Sequence, residues 1–227
     1  MAALPAKQIL TEAEAAATAA GSLHFSSATK EGSASIDFTD DSSASGGKQV
    51  ITMSDGGQMT VLVVSGVGYV NGNAEGLAGF LGMSEANATQ LAGQWIAVKS
   101  TSPYYQQVVT GVTTSSVLGE FAPTGALRTT PRQQVDGQSV VGVRGTAPSD
   151  SGLPAGSAVT LYVAATGRPL PVSCVEGSGD DKNDVTFSHW GEPVNVSAPS
   201  ASVPAPSPGP SQPVPTPSGQ PAPPVIV

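Results

Sequence analysis

The chain has 227 residues, of which 17 are acidic and nine are basic, giving a formal net charge of −8. Because nucleic acid is bound through clustered positive charge, this balance disfavours DNA and RNA as partners. No apolar run approaches the roughly 20 residues of a membrane-spanning helix. Residues 200–227 are rich in proline and serine and carry no charge, which predicts a disordered tail. Residues 1–199 are long enough for one domain with its own core.

A helix is predicted over residues 5–21. Pro5 suits the first helical turn and Gly21 suits the helix end, because these are the positions where each residue is favoured. Small apolar residues, mostly alanine, form a narrow stripe between them. Such a helix can lie close against a sheet.

Four strands are predicted to follow the helix, because apolar residues recur at every second position. The fourth is apolar on both faces, so both sides of the sheet must be covered there. A polar loop over 40–47 and a turn over 55–57 are predicted to separate them. The predicted strands cover residues 22–30, 33–39, 48–54 and 58–65.

The segment from 73 to 123 changes to helical spacing and is predicted to be an insertion between two parts of the sheet. Leu77, Phe80 and Leu81 stand on one helical face, and Ser84 is a predicted N-cap. Its many glycines weaken any one helix, which makes it the most mobile predicted element. Its predicted helices lie near 77–81, 84–91, 103–109 and 113–121, with a short strand near 94–99.

Alternating apolar residues return between 137 and 198 and predict the rear part of an antiparallel sheet. Cys174 is the only cysteine and continues the alternation of Leu170 and Val172, so we expect it to pack as a small hydrophobe. The order of helix, sheet, insertion and sheet predicts an α+β fold: one curved antiparallel sheet wrapped around helices, with an apolar concave face.

Residue types suited to catalysis are scarce. His24 and His189 are the only histidines, and neither a Gly-x-Ser-x-Gly motif nor a phosphate-binding loop is present. Two histidines and one cysteine do not make a zinc set. The acidic loop 180–184 lacks the glycine and glutamate of a calcium loop and is interpreted as a solvated turn. The prediction is a protein that is not an enzyme and uses no cofactor or metal.

Six stretches share their order with a known family: LPAKQILTEAEAAATAAGSLHFSS (4–27), GVGYVN (66–71), GQWIAVK (93–99), QQVDGQSVVGVRG (133–145), VTLYVAATGRPLPV (159–172) and VTFSHWGEPVNVSAP (185–199). Together they resemble the LppX/LprG-type lipoproteins of actinobacteria, relatives of the LolA/LolB-like carriers. The resemblance implies that residues 1–199 form a half-barrel sheet around helices, with a hydrophobic cavity that carries acyl chains. It also implies export and anchoring through a lipidated cysteine just before Leu4, although the chain shows neither that cysteine nor a signal peptide.

Apolar residues of the strands and the insertion are the predicted lining of this cavity. On their pattern alone they would be ordinary core, and the resemblance is what favours a cavity. A dry cavity with apolar walls accepts an alkyl chain. The predicted lining residues are Ile36, Phe38, Ile51, Met53, Met59, Val61, Val63, Tyr69, Leu77, Phe80, Leu81, Trp95, Leu118, Phe121, Val141, Val143 and Leu161.

Two functional hypotheses remain open at this point. The first is a non-enzymatic carrier of the cell envelope or extracellular space that binds acyl chains of a lipid, glycolipid or lipoprotein. The second is a wall-associated scaffold with a filled pocket, whose Pro-rich tail is a spacer or a partner's ligand. The expected partners are a lipid or acylated ligand, with membrane-anchored or wall proteins as further candidates, and the chain is expected to be a monomer.

Overall fold

The structure, a computed structural model, describes residues 4–31, 34–149, 153, 156–177 and 182–206. The helices in this part of the chain are α1 (Ala6–Ala20), α2 (Ala74–Leu81), α3 (Glu85–Leu91), α4 (Tyr105–Val109) and α5 (Thr114–Phe121). The first strands are β1 (Ser22–Glu31), β2 (Ala34–Ser43), β3 (Gly46–Met53), β4 (Gln58–Val64), β5 (Val67–Gly72) and β6 (Ile96–Val98). The later strands are β7 (Thr124–Thr129), β8 (Gln133–Val135), β9 (Gln138–Thr146), β10 (Ala158–Ala164), β11 (Pro171–Glu176), β12 (Asn183–Ser188) and β13 (Val203–Pro204).

All of these strands belong to one sheet, in the order β13-β6-β5-β4-β3-β2-β1-β12-β11-β10-β9-β7, with β8 paired to β9. Every pairing in it is antiparallel except that of β13 with β6. The pairing of β1 with β12 joins the N-terminal strands to the C-terminal ones. The sheet is curved and unclosed, so the predicted α+β half-barrel is confirmed.

Helix α1 begins after Pro5 and ends at Gly21, as the sequence predicts. Gly21 has a φ of 78°, and its N–H donates to the carbonyl of Ala17 at 3.3 Å. This left-handed cap is one that glycine adopts without a steric cost. The buried stripe of α1 includes Ile9 and Ala13, both fully buried, and it packs towards α5 and β9.

Side-chain caps fix the starts of the insertion helices. Asn73 accepts a hydrogen bond from the N–H of Gly76 at the start of α2, and Ser84 accepts one from Asn87 at the start of α3. Thr113 and Ser116 form a reciprocal capping box at the start of α5. The predicted cap at Ser84 is therefore confirmed.

The predicted loop over residues 40–47 is wrong, because β2 and β3 continue through most of it. Asp40 pairs with Gln49 and Ser42 pairs with Gly47, so only a short turn at residues 44–45 remains. The polar composition suggested a loop, but hydrogen bonds inside the fold accommodate these side chains, as described below.

The predicted disordered tail, residues 200–227, also needs a correction at its start. The N–H of Val203 donates to the carbonyl of Trp95 at 2.8 Å, and the N–H of Ala205 donates to that of Ala97 at 3.1 Å. Pro204 has no N–H to donate, and it is tolerated because its nitrogen faces away from β6. The packed chain therefore extends past residue 199 to at least 205, and residues 207–227 lie outside the described part.

A close approach between α2 and β4 holds the insertion on the sheet. A β-carbon at Gly76 would lie 2.5 Å from the carbonyl oxygen of Gln58, a backbone atom that cannot move aside cheaply. At Gly79, one turn later in the same helix, an added β-carbon would make only an ordinary contact with the sulfur of Met53 at 3.4 Å.

We therefore expect Gly76→Ala to lower the free energy of unfolding by roughly 1–3 kcal/mol, the usual cost of overpacking. The matched control Gly79→Ala is expected to raise it by up to about 1 kcal/mol, because alanine favours helix. Urea denaturation followed by circular dichroism measures both changes. Equal midpoints for the two variants would contradict the close packing of α2 on β4.

Candidate functional site

The concave face of the sheet carries two separate apolar clusters. The first, cluster A, joins α1, α5 and the inner faces of β1 and β9–β12. The second, cluster B, joins α2, α3, α4 and the inner faces of β3–β6. Phe38 on β2 is half-buried and packs against both clusters.

Most of the predicted lining residues lie in these clusters. Cluster A contains the buried residues Phe121, Val141, Val143 and Leu161. Cluster B contains Ile51, Met53, Met59, Val61, Val63, Leu77, Phe80 and Leu81, with Ile36 packed against it. Whether these side chains contact a ligand stays a prediction.

Tyr69, Trp95 and Leu118 are half-buried and belong to neither cluster. Tyr69 pairs with Leu62 across β4 and β5, which places it on the face of the sheet opposite to Val61 and Val63. Alternation along a strand marks two faces, and the pairing with a neighbour decides which of them is concave.

A narrow cleft separates the two clusters. Its volume is about 40 Å³, well below the roughly 300 Å³ at which sites for drug-sized ligands begin. Only three predicted lining residues, Phe38, Phe80 and Phe121, reach it. Its walls are Phe25, Ser27, Thr29, Phe38, Gln49, Phe80, Thr110, Gly111, Glu120, Phe121, Glu176 and Asn183.

Aromatic rings stand on both sides of this cleft. The ring centroids of Phe25 and Phe121 are 5.9 Å apart, in an edge-to-face arrangement within cluster A. On the other side, the rings of Phe38 and Phe80 are 6.4 Å apart, also edge to face. Such pairs stabilise each wall individually.

Polar side chains run across the concave face between the clusters, and the strand registers place them there. Asp40 on β2 stands between Phe25 on β1 and Gln49 on β3. Glu176 on β11 stands opposite Asn183 on β12. Inward-facing positions that normally carry apolar residues are therefore occupied by carboxyl and amide groups.

Each of these groups finds part of its hydrogen bonding inside the fold. Asn183 donates to Oε2 of Glu176 at 2.8 Å and accepts from the hydroxyl of Ser27 at 3.0 Å. The hydroxyl of Ser42 donates to Oδ1 of Asp40. The second carboxylate oxygen of both Asp40 and Glu176 is buried without a hydrogen-bond partner.

Burial governs the ionisation of these carboxyl groups. It raises the pKa of Asp40 well above its ordinary value, and the nearby carboxyls of Asp41 and Glu120 raise it further against the hydrogen bond from Ser42. Burial also raises the pKa of Glu176, against the hydrogen bond from Asn183. Desolvation penalises the charged form, so the closed cleft favours neutral carboxylic acids.

Sequence reasoning missed this polar group because it followed apolar residues only. On β2 the alternation of Ile36 and Phe38 continues to Asp40. On β3 the alternation of Met53 and Ile51 continues back to Gln49. Extending the alternation through the polar residues would have placed both side chains on the concave face.

The remaining candidate groups lie elsewhere or are already used. Cys174 is fully buried in cluster A, and burial raises the pKa of its thiol well above the ordinary value, which confirms the prediction of a small packed side chain. Nδ1 of His24 is 2.8 Å from Oδ1 of Asp41 on the outer face of the sheet, and the rings of His24 and His189 are 5.5 Å apart.

No group of three or more His, Cys, Asp or Glu side chains in the described residues is arranged to hold a metal ion. The acidic loop 180–184 lies partly outside those residues. The helices of the described chain include none that is long and apolar enough to cross a membrane.

Comparison with solved structures identifies the architecture. The lipoprotein LppX from Mycobacterium tuberculosis matches with a TM-score of 0.53 and 20% identity, over 84% of this chain and 99% of its own. The chain has the LppX-type lipoprotein fold. LprF from Mycobacterium bovis matches with a TM-score of 0.51 and 17% identity, over 86% of this chain and 97% of its own.

The predicted resemblance to LppX/LprG-type lipoproteins is therefore confirmed for the fold. No known family profile and no curated protein sequence matches the chain.

The buried carboxyl of Glu176 makes stability depend on pH. Its pKa is higher in the folded protein than its ordinary 4.5, so folding opposes ionisation and the free energy of unfolding falls as pH rises above about 4.5. Glu176→Gln cannot ionise. We expect it to be more stable than the wild-type protein at neutral pH, with an advantage that shrinks as pH falls towards 4.

Urea midpoints measured at several pH values test this expectation. The control is Glu14→Gln, which removes an exposed carboxylate on α1. The prediction fails if the difference between Glu176→Gln and wild type is the same at every pH, or if the control shows the same trend.

Proposed function

We propose that this protein is a non-enzymatic carrier of the cell envelope that binds the acyl chains of a lipid, glycolipid or lipoprotein between clusters A and B. The observation that carries the proposal is the division of the concave face into two apolar clusters, with a cleft between them and Phe38 packed against both. A single uninterrupted core would have no plane along which to admit a chain. The envelope location follows the fold neighbour LppX, which is a lipoprotein.

Loading requires the cleft to widen, because about 40 Å³ does not hold an acyl chain. Helices α2–α4 pack only within cluster B, whereas α1 and α5 pack within cluster A. The chain crosses from one to the other at residues 110–113, where Gly111 has a φ of 78°. We take this crossing to be the hinge, since hinge motion is absorbed at a few residues of this kind.

The energy available for opening comes from the ligand. Each buried methylene contributes about 0.8 kcal/mol, so ten contribute about 8 kcal/mol. That is enough to offset separating the walls, provided that each wall keeps its own packing. The pair Phe25–Phe121 lies within cluster A and survives the separation, whereas Phe38, which packs against both clusters, keeps its contact with Phe80 and loses that with cluster A.

A pair of variants on β1 tests the location of the ligand. Thr29 lines the cleft, while Ala28 is exposed on the other face of the same strand. We expect Thr29→Phe to weaken binding of a fluorescent fatty acid at least tenfold by filling the space between the walls. Ala28→Phe is expected to leave the dissociation constant unchanged.

Native mass spectrometry of the wild-type protein, purified from a lipid-rich host, is the companion measurement. The expected result is a co-purified lipid that Thr29→Phe lacks and Ala28→Phe retains. A wild-type protein that carries no lipid and takes up no fatty acid would contradict the carrier function. Equal binding by both variants would show that the ligand binds outside the cleft.

A scaffold whose pocket is filled is the second candidate function, and the small volume of the cleft favours it. In this case the Pro-rich tail is the working part, as a spacer or a ligand for a partner domain. A truncation after residue 206 tests it, because a cut at 199 would also remove β13 from the edge of the sheet. Lost binding to cell-wall material together with unchanged lipid uptake would favour the scaffold.

A further inference from the structure

Among the residues that line the cleft between clusters A and B, Glu176 has a buried side-chain oxygen without a hydrogen-bond partner. In the described residues, three buried side-chain polar atoms lack a partner: Oδ2 of Asp40, Oε1 of Gln107 and Oε1 of Glu176. All three are oxygens. Of the three, only Glu176 lines the cleft, with 3% of its surface exposed, and its free oxygen is an acceptor when the carboxyl is ionised and an O–H donor when it is neutral.

Three of the neighbouring donors already have partners. The amide nitrogen of Asn183 donates to the other oxygen of Glu176, and that of Gln107 donates to the carbonyl of Phe80. The hydroxyl of Ser42 donates to the other oxygen of Asp40. None of the residues that line the cleft is a lysine or arginine. A ligand group at the free oxygen of Glu176 therefore meets a carboxyl that accepts a hydrogen bond when ionised and donates one when neutral.

From this arrangement we propose that the cleft binds the hydroxyl groups of the acylated ligand. A hydroxyl is both donor and acceptor, so it pairs with a carboxylate or with a neutral carboxylic acid. An ammonium group pairs only with the ionised form, which burial disfavours at Asp40 and Glu176. A hydroxyl therefore fits the carboxyl of Glu176 in either protonation state, which a cationic group does not.

The volume limits the size of the polar group. About 40 Å³ has room for roughly three water-sized groups before the walls separate, so a hydroxyl on an acyl chain or a glycerol end requires less widening than a sugar ring. Polar and apolar side chains are direct neighbours in the cleft, since Ser27 on β1 pairs with Phe38 on β2. Acyl chain and hydroxyl would thus be bound in one continuous site.

This inference rests on the proposed carrier function and deepens it, so the test separates the two. Three probes with the same number of acyl carbons are compared by displacement of a fluorescent fatty acid. Methyl oleate has no hydroxyl, methyl ricinoleate has one on the chain, and monooleoylglycerol has two at its end. We expect at least one hydroxylated probe to bind about tenfold more tightly than methyl oleate, as one or two new hydrogen bonds allow.

Two variants locate the preference at the carboxyl group. Glu176→Leu removes the acceptor and is expected to reduce the preference for the hydroxylated probe about tenfold, to near one. Glu176→Gln keeps a polar group there, because its carbonyl can accept from Asn183 while its N–H donates to a ligand hydroxyl, and it is expected to retain the preference. Phe38→Leu, the control on the apolar wall, should weaken all three probes by the same factor. Circular dichroism confirms that each variant folds.

The outcomes distinguish the two proposals. Equal binding of the three probes by the wild-type protein overturns the hydroxyl site, whatever the variants do, and leaves the carrier function standing. An unchanged preference in a folded Glu176→Leu protein overturns the role of that carboxyl group. If none of the probes binds, the carrier function fails and the hydroxyl site with it. The hydroxylated probe that binds more tightly tells whether the hydroxyl belongs to the head or to the chain.

Discussion

Burial of the carboxyl groups of Asp40 and Glu176 is the constraint on which the interior of this protein depends. Both lie on the concave face of the sheet, at positions that an ordinary half-barrel would fill with apolar side chains. An ionised carboxylate in such a place costs several kcal/mol unless it is paired. The fold accommodates them with internal side-chain hydrogen bonds, with pKa values that burial raises, and with a narrow cleft instead of a continuous core.

The division of the core shapes the whole molecule. Clusters A and B each have their own helices, their own strands and their own aromatic contacts, and β1 and β2 connect them through the backbone ladder. Antiparallel pairing resists separation along the ladder but not bending across the sheet. The two halves are thus joined through the backbone ladder, and Phe38 packs against both of them.

A short additional strand protects one edge of the sheet. At one edge β13 covers β6, so the backbone groups of Trp95 and Ala97 find partners in the start of the Pro-rich segment. Exposed strand edges invite pairing with other chains, and a short strand with a proline is a common way to prevent it. The proline-rich composition therefore has a structural role at its beginning.

Features on the outer face are independent of the cleft. His24 and Asp41 form a pair there because their strands are adjacent, and His189 joins them from the end of β12. A groove of about 310 Å³ lies beside the two histidines and is formed partly by residues 192–196. The sheet itself separates this groove from the polar side chains of the concave face.

Local sequence determined the helices with clear caps, the apolar period of most strands, and the buried cysteine. Those features depend on neighbouring residues only, as at Gly21, Ser84 and Cys174. The resemblance to a lipoprotein family supplied the half-barrel, and the comparison with LppX confirmed it. The candidate site was predicted less well, since only Phe38, Phe80 and Phe121 of the predicted lining residues reach the cleft.

The tertiary structure alone decided that Asp40 lies inside. The polar composition around it is typical of a loop, and only the pairing of Asp40 with Gln49 shows that the strands continue and turn these side chains inwards. It likewise brought Asn183, which is bonded to Glu176, into a hydrogen bond with Ser27, 156 positions earlier in the chain. By itself the sequence determined a curved sheet with an apolar face, because alternation is a local property. The polar cleft that divides this face arises from strand register, which is fixed by contacts between distant residues.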